Sequence, residues 1–406
     1  MKNNRIVYAI IGTIALLFAG LIYAWSVLSQ PMKFEFSAVE LSFAFTVCMA
    51  SFCIGGLIGG ITQKKINVRI NMIISGILLF AGFYIASIAT SAILLYLGYG
   101  IIAGFASGFV YNGVMSCVTK WFTDKPGLIS GILLMGFGLG SFIIGKVYQA
   151  YTPAGEGIDI WRSSFFIFGI ILVTVLILGS FFIKPVPEDY VISKPEKNSK
   201  IENNKDIYRE EGIDATPAQM LKRVSFWLYF LWTVSLSAVG LILISQSSGI
   251  LLEIAPNTLP ATVATIVGLI SIMNAVGRVI CGFLFDKIGR RNTMFVVDFM
   301  FLLVIALLMF AIMSKIFILI IITFIVGGLA YGGVTPMNSA FISTFYGVKN
   351  YPVNFPIVNM NLMIASFGST LAGAIYMATS SYLMVCYVMI GIALLATVAS
   401  IILRRP

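Results

Sequence analysis

Long apolar runs recur along almost the whole of this chain, each about the length needed to cross a lipid bilayer, with charged or turn-forming residues between them. A backbone in lipid must satisfy its own hydrogen bonds, so such runs can only be helices or strands of a closed barrel. Their length, roughly twenty residues, selects helices. Set between the charge clusters, the spans lie near 6–28, 42–62, 70–88, 91–118, 126–147, 161–183, 224–250, 260–284, 292–313, 316–338, 351–378 and 381–403. The expected fold is therefore an all-α membrane protein of twelve transmembrane helices. A composition of 59% hydrophobic and 10% charged residues, with a mean hydropathy of +0.99, excludes a water-soluble domain. The first run is too long, and too rich in glycine and aromatic residues, for a cleaved signal peptide, and reads as the first span.

The net charge of +10 is parcelled into the loops, which makes it an orientation signal and no reason to expect a nucleic-acid partner. With both termini, the central linker and alternate loops on one side, that side carries 21 of the 26 basic residues. The opposite side holds Lys33, Lys146, Arg162 and Lys315. This asymmetry puts the termini and linker in the cytoplasm of a multi-pass protein of the cell (inner, cytoplasmic) membrane. Three regions follow: a six-helix bundle over 1–184, a polar linker over 185–223, and a second six-helix bundle over 224–406. The linker carries half of the chain's acids, and a short helix is expected from Thr216 into Arg223. Histidine is absent, and Cys48, Cys53, Cys117, Cys281 and Cys386 are scattered through the spans without metal-ligand spacing. No metal, cofactor or enzymatic activity is expected from such a set, and no ring of charge suggests a channel.

Arg278 is the basic side chain lying well inside a span, in Ile272-Met-Asn-Ala-Val-Gly-Arg-Val-Ile-Cys-Gly-Phe283. A guanidinium keeps its charge at physiological pH. Burying it in a bilayer costs at least ~2.5–3.5 kcal/mol on insertion scales, which makes it a functional candidate with an anionic partner to be found. The simplest partner is a small anion from outside the chain. The competing partner is Asp298, the one acid well inside a span.

The two halves repeat at an offset of 223 residues: Gly59–Arg69 follows span two as Gly282–Asn292 follows span eight. Gly55 then maps onto Arg278, Tyr23 onto Gln246, and Gly138 onto Asn361. A repeat of this kind is expected to hold its ligand near the bilayer midplane. Tyr23, Tyr111 and Tyr331 are phenols within spans that can donate to a bound carboxylate, or merely pack. Gln246 and Asn361 are amides in apolar helices that can contact a substrate, Asn361 from a cavity-facing wall, or merely form interhelical hydrogen bonds. The glycines at 55, 56, 59, 60, 100, 104, 108, 136, 138 and 140 are spaced for close helix contact.

Twelve spans in two halves, with G-x-x-x-D-K-x-G-R-R after span eight (Gly282, Asp286, Lys287, Gly289, Arg290, Arg291), resemble the major facilitator superfamily. The first copy of that loop is degraded, with Gln63 in place of the aspartate. Finer features are similar to the oxalate/formate antiporter family, related to monocarboxylate transporters. They are Tyr23-Ala-Trp-Ser-Val-Leu, Tyr111, Lys120-Trp-Phe-Thr-Asp-Lys-Pro-Gly127, Gly136-Phe-Gly-Leu-Gly140, Asn274-Ala-Val-Gly-Arg-Val and Phe345-Tyr-Gly-Val-Lys-Asn350. The resemblance implies two pseudo-symmetric six-helix bundles, a working monomer, and a cage of aromatic rings in which a basic residue on helix eight and a lysine on helix eleven clamp the substrate. Arg278 matches the first. Asn354-Phe-Pro-Ile-Val-Asn-Met-Asn-Leu-Met363 holds no lysine, with Leu362 near the expected place. One cation suits one carboxylate, so a monocarboxylate such as formate, acetate or lactate is expected, moved by exchange. Proton-coupled symport, or oxalate/formate exchange despite the missing lysine, is the alternative. In the loop motif, Asp286 and Arg290 are expected to form a cytoplasmic latch.

Overall fold

The computed structural model describes residues 2–63, 65–152, 158–187 and 213–404. Most of the expected 185–223 linker lies outside the described residues. Every regular element among them is helical. The crossings are α1 (Lys2–Ala19), α2 (Ala38–Thr62), α3 (Val68–Ser87), α4 (Ala92–Trp121), α5 (Pro126–Tyr151), α6 (Ile158–Phe182), α7 (Val224–Ile254), α8 and α9, α10 (Phe317–Phe345), α11 (Tyr351–Thr379) and α12 (Leu383–Ile402).

Helices α8 and α9 are one continuous run, Pro260–Ser314, of 55 residues. At ~1.5 Å per residue such a rod would be more than twice a bilayer's ~30 Å core. Gly289 breaks it, at φ 80° and ψ 168°, a conformation that glycine adopts without a Cβ penalty. Residues 260–288 form α8 and 290–314 form α9, which brings the crossings among the described residues to twelve.

Three spans depart from simple α-helix. The first gives way at Gly20–Ala24 to a 3-10 turn, where Gly20 abuts the Phe137 carbonyl. In α4, residues Tyr96–Ala103 wind as a π-helix through glycines that press on α2 and α3. α11 is broken into Tyr351–Asn359, Asn361–Ala365 and Phe367–Thr379, with Pro356 inside its first piece. Beyond the membrane, Thr216 and Gln219 form a capping box on the short helix Pro217–Leu221.

The contacts divide the chain into two units. The first comprises residues 1–124, 132–193 and 351–357; the second comprises 125–131, 194–350 and 358–406. In the first, α2 and α4 touch backbone to backbone, Gly55 against Phe105, Gly104 against Cys48 and Gly108 against Phe52. Gly136 and Gly140 seat α5 on α1 at Thr13 and Leu17. Lipid gives helices little hydrophobic reason to associate, so such close approach and its dispersion contacts carry the packing. At one end Arg162 pairs with Glu35 at 2.5 Å and donates to the carbonyls of Ser87 and Ala89.

In the second unit, α8 and α10 mesh through Gly277 on Leu329, Gly328 on Ile270 and Gly332 on Asn274. Trp232, Tyr229, Phe301 and Phe324 fill its interior. Large apolar side chains point outward along both units, among them Ile93, Phe181, Phe299, Phe310 and Met377. A water-soluble surface rejects that pattern, and a lipid-facing one requires it. The chain is a multi-pass membrane protein.

Candidate functional site

Arg278 lies on α8 in the second unit, half-buried, with its Nε donating to Asn274 Oδ1 at 3.0 Å. Asn274 is one turn earlier on the same helix face, so the bond needs no tertiary contact to form. The backbone beneath the pair is held from two sides. Gly332 of α10 sits against Asn274 and the Arg278 amide, and Gly131, at the start of α5, sits against the Arg278 carbonyl. A Cβ at either glycine would meet backbone atoms, so the absence of side chains is what lets α8 be clamped here. The guanidinium thus stands on a fixed stretch of helix with one of its donors already aimed, the preorganisation that a carboxylate-binding fork needs.

Tyr331 precedes Gly332 on α10 and is buried, its ring against Gly240 of α7. It lies within electrostatic reach of Arg278. Tyr111 sits in the first unit, on α4, packed on Phe52 (5.2 Å between ring centroids), Phe137 (5.1 Å) and Phe355 (5.9 Å). The sequence marks Tyr111 without marking the rings that surround it. Its aromatic neighbours come from three other helices, and no local spacing announces them. The side chain of Tyr23 lies outside the described residues.

The two amides have partners within the second unit. Gln246 Oε1 accepts from Tyr382 Oη at 2.9 Å, and its Nε2 reaches the Ser369 carbonyl at 3.5 Å. Asn361 is fully buried at the break in α11, donating to Thr233 Oγ1 and Ser237 Oγ, both at 2.9 Å. Thr233 in turn donates to Asn338 Oδ1, which also accepts from Tyr229. Asn361 therefore belongs to a polar network that ties α7, α10 and α11 together inside an apolar bundle.

The loop motif is built around the end of α8. The Asp286 carboxylate accepts from the backbone N–H groups of Gly127 at 2.9 Å and Leu128 at 2.7 Å. These are the first turn of α5, where unpaired N–H groups and the helix dipole favour a negative charge. Gly127 and Gly282 meet backbone to backbone, which brings the two helix ends close enough for this bond. Arg290 is buried, over the Phe345 ring at 5.0 Å, with Nη1 on Met294 Sδ and Nη2 on the Leu403 carbonyl. Lys287 lies over Phe283 at 5.7 Å. Asp286→Ala removes the acceptor and is expected to weaken the α5–α8 junction by about 1 kcal/mol. Faster backbone hydrogen exchange over residues 127–131 would show it.

Asp298, on α9, is buried and accepts from Trp232 Nε1 at 2.7 Å and Ser400 Oγ at 2.5 Å. Those donors, from α7 and α12, are both neutral.

Comparison with known proteins places this architecture. The chain is 28% identical over 362 residues to the oxalate:formate antiporter of Oxalobacter formigenes, covering 86% of this chain and 81% of that one. It is 26% identical over 360 residues to the uncharacterized MFS-type transporter YhjX of Escherichia coli, covering 88% and 85%. Among solved structures, the proton:xylose symporter XylE superposes with a TM-score of 0.76 over 100% of this chain and 97% of that one, at 13% identity, a likeness of fold alone. The family model described as Major Facilitator Superfamily matches residues 9–347 and 257–406. By fold and by family match together, the chain belongs to the Major Facilitator Superfamily, and it is a transporter rather than an enzyme.

Proposed function

We propose that this transporter carries a small monocarboxylate anion, of the class of formate, acetate or lactate, by obligatory exchange across the cell membrane, with its termini and linker in the cytoplasm. The observation that carries the reading is Arg278, a permanent charge well inside an apolar crossing, braced by Asn274 and by α10 and α5 behind it. A guanidinium presents parallel N–H donors that match the two oxygens of a carboxylate, a bidentate and charge-assisted pairing. Tyr331, next in sequence to the Gly332 that faces the Arg278 amide, is the phenol assigned to that carboxylate. Tyr111, in the first unit, offers a phenol among the apolar rings of Phe52, Phe137 and Phe355. Gln246 and Asn361 act through their helix-to-helix hydrogen bonds. The similarity to an oxalate:formate antiporter supports the substrate class, while the lack of lysine over residues 354–363 favours one carboxylate over two.

The exchange mode follows from the cost of moving a charge. Switching without cargo takes a hydrated guanidinium into a drier environment, at several kcal/mol even after relaxation. A bound carboxylate offsets much of that through its charge-assisted hydrogen bonds. The loaded carrier switches and the empty one waits. Purified protein in vesicles, preloaded in turn with formate, acetate, lactate and oxalate, is expected to take up labelled external monocarboxylate only when a counter-anion is inside. If none of the four anions moves, the reading fails.

A second reading rests on Asp298: a buried carboxyl among neutral donors is a candidate proton carrier, which would make the protein a proton-linked symporter. Such a carrier would acidify vesicles on uptake and need no preloading.

A further inference from the structure

The geometry points to Asn112 as a gating residue, a neutral clip that fastens the start of α11 to α2 and α4 and must let go each time the transporter switches. The argument begins with Pro356. In a helix the carbonyl of residue 352 accepts from the N–H of residue 356, and proline has none. The Pro352 carbonyl is thereby robbed of its helical donor at a buried position. Asn112 Nδ2 supplies one, at 2.7 Å, and at the same time donates to the Gly56 carbonyl of α2 at 2.9 Å. Ser116, one turn on along α4, donates to Asn112 Oδ1 at 3.3 Å, which sets which way the amide faces. Asn112 is 1% exposed.

One glycine makes the approach possible. A Cβ on Gly60 would run into the Pro352 carbonyl and lie 2.9 Å from the Asn112 amide nitrogen, whereas at Gly56 a Cβ would only touch the Pro356 ring, at 3.9 Å. These contacts lie within the first unit, whose boundary takes in residues 351–357 and no more of α11. Counting crossings from the amino terminus, the end of α4 and the start of α11 fall on the same side of the membrane as that terminus.

The second half of the chain performs the corresponding task with a charge, Asp286 on the first turn of α5. In the first half the repeat-related position is Gln63, which donates instead to the Gly113 carbonyl, at 3.5 Å. The degraded loop has lost its anion, and Asn112 with the proline-freed carbonyl stands in for it. A neutral clip suits a contact that must break: water can satisfy both an amide and a carbonyl, with no ion to desolvate when the clip re-forms. This inference rests on alternating access, and not on which anion is carried.

Hydrogen exchange in the purified protein without substrate tests it. Asn112→Ala is expected to speed backbone exchange about fivefold over residues 351–359, the shift that one ordinary hydrogen bond confers. Exchange over residues 127–131, which do not touch Asn112, should rise with it, because one switch of the transporter releases both junctions. Gly60→Ala, whose Cβ would strike the Pro352 carbonyl and crowd the Asn112 amide, should reproduce both effects. Pro356→Ala restores the helical N–H and should make Asn112→Ala nearly silent. A rise confined to residues 351–359 would reduce Asn112 to a packing residue, and no rise at all would remove the clip; either result overturns the proposal. Because no anion enters the measurement, it stands or falls apart from the carboxylate reading.

Discussion

Arg278→Gln is expected to lower exchange of monocarboxylate by two to three orders of magnitude, that is by ~3–4 kcal/mol, while the protein still inserts and folds. Two charge-assisted hydrogen bonds to a carboxylate are worth roughly that much at ~1.5–3 kcal/mol each, with incomplete additivity. The glutamine amide keeps a donor for Asn274 Oδ1 and leaves the glycine contacts at Gly332 and Gly131 untouched, so the clamp on α8 survives. Arg278→Lys separates charge from shape. It retains the cation, loses the planar fork, and is expected to keep about a tenth of the activity or less, with the loss mainly in apparent affinity. Initial rates of labelled-anion exchange in preloaded vesicles, normalised to inserted protein, give both numbers. Parental rates in Arg278→Gln would end the assignment.

Which parts of this arrangement could be read from residues alone depends on the distance over which each is determined. Arg278 announces itself because a charge inside an apolar run is a local anomaly, and the twelve crossings are visible because apolar length is a local property. Asn274 was also within reach, since it lies one turn before Arg278 in the same stretch, yet spacing does not say which polar neighbour a guanidinium will choose. Gly55, Gly104, Gly108, Gly136 and Gly140 do bring backbones together, but which helix each one meets is settled in three dimensions. The partner of Asp286 lies 159 residues earlier, at the N-terminus of α5, and nothing around either segment signals the other. In the sequence Gly289 reads as part of a motif, whereas its work is to turn a 55-residue run into two helices by adopting a positive φ. The break in α11 and the π-helical stretch of α4 occur inside uniformly apolar segments, where hydrophobicity carries no record of winding.

The two readings of the transport cycle part at Asp298, and here the hydrogen bonds favour a structural carboxyl. Trp232 and Ser400 are both fully buried, and each donates to one of its oxygens. Asp298→Ala leaves an indole N–H and a hydroxyl without that acceptor in an apolar interior, at about 1–3 kcal/mol for an orphaned group. Ser400 can fall back on the Thr397 carbonyl at 2.8 Å; the Trp232 indole has no such alternative among its described contacts. The alanine variant is therefore expected to lose thermal stability by several degrees. Asp298→Asn is different, because its carbonyl oxygen still accepts from Trp232. Its new amide can donate to Ser400 Oγ while that hydroxyl donates to Thr397, so every bond is kept with one reversed. That variant cannot bind and release a proton in the physiological range, yet its packing is intact. Parental stability and undiminished anion exchange are expected from it. If instead Asp298→Asn folds normally but abolishes transport, while the parent protein acidifies vesicles during uptake, the carrier is a proton symporter. The exchange mechanism built on Arg278 alone would then give way to one in which Asp298 moves the proton.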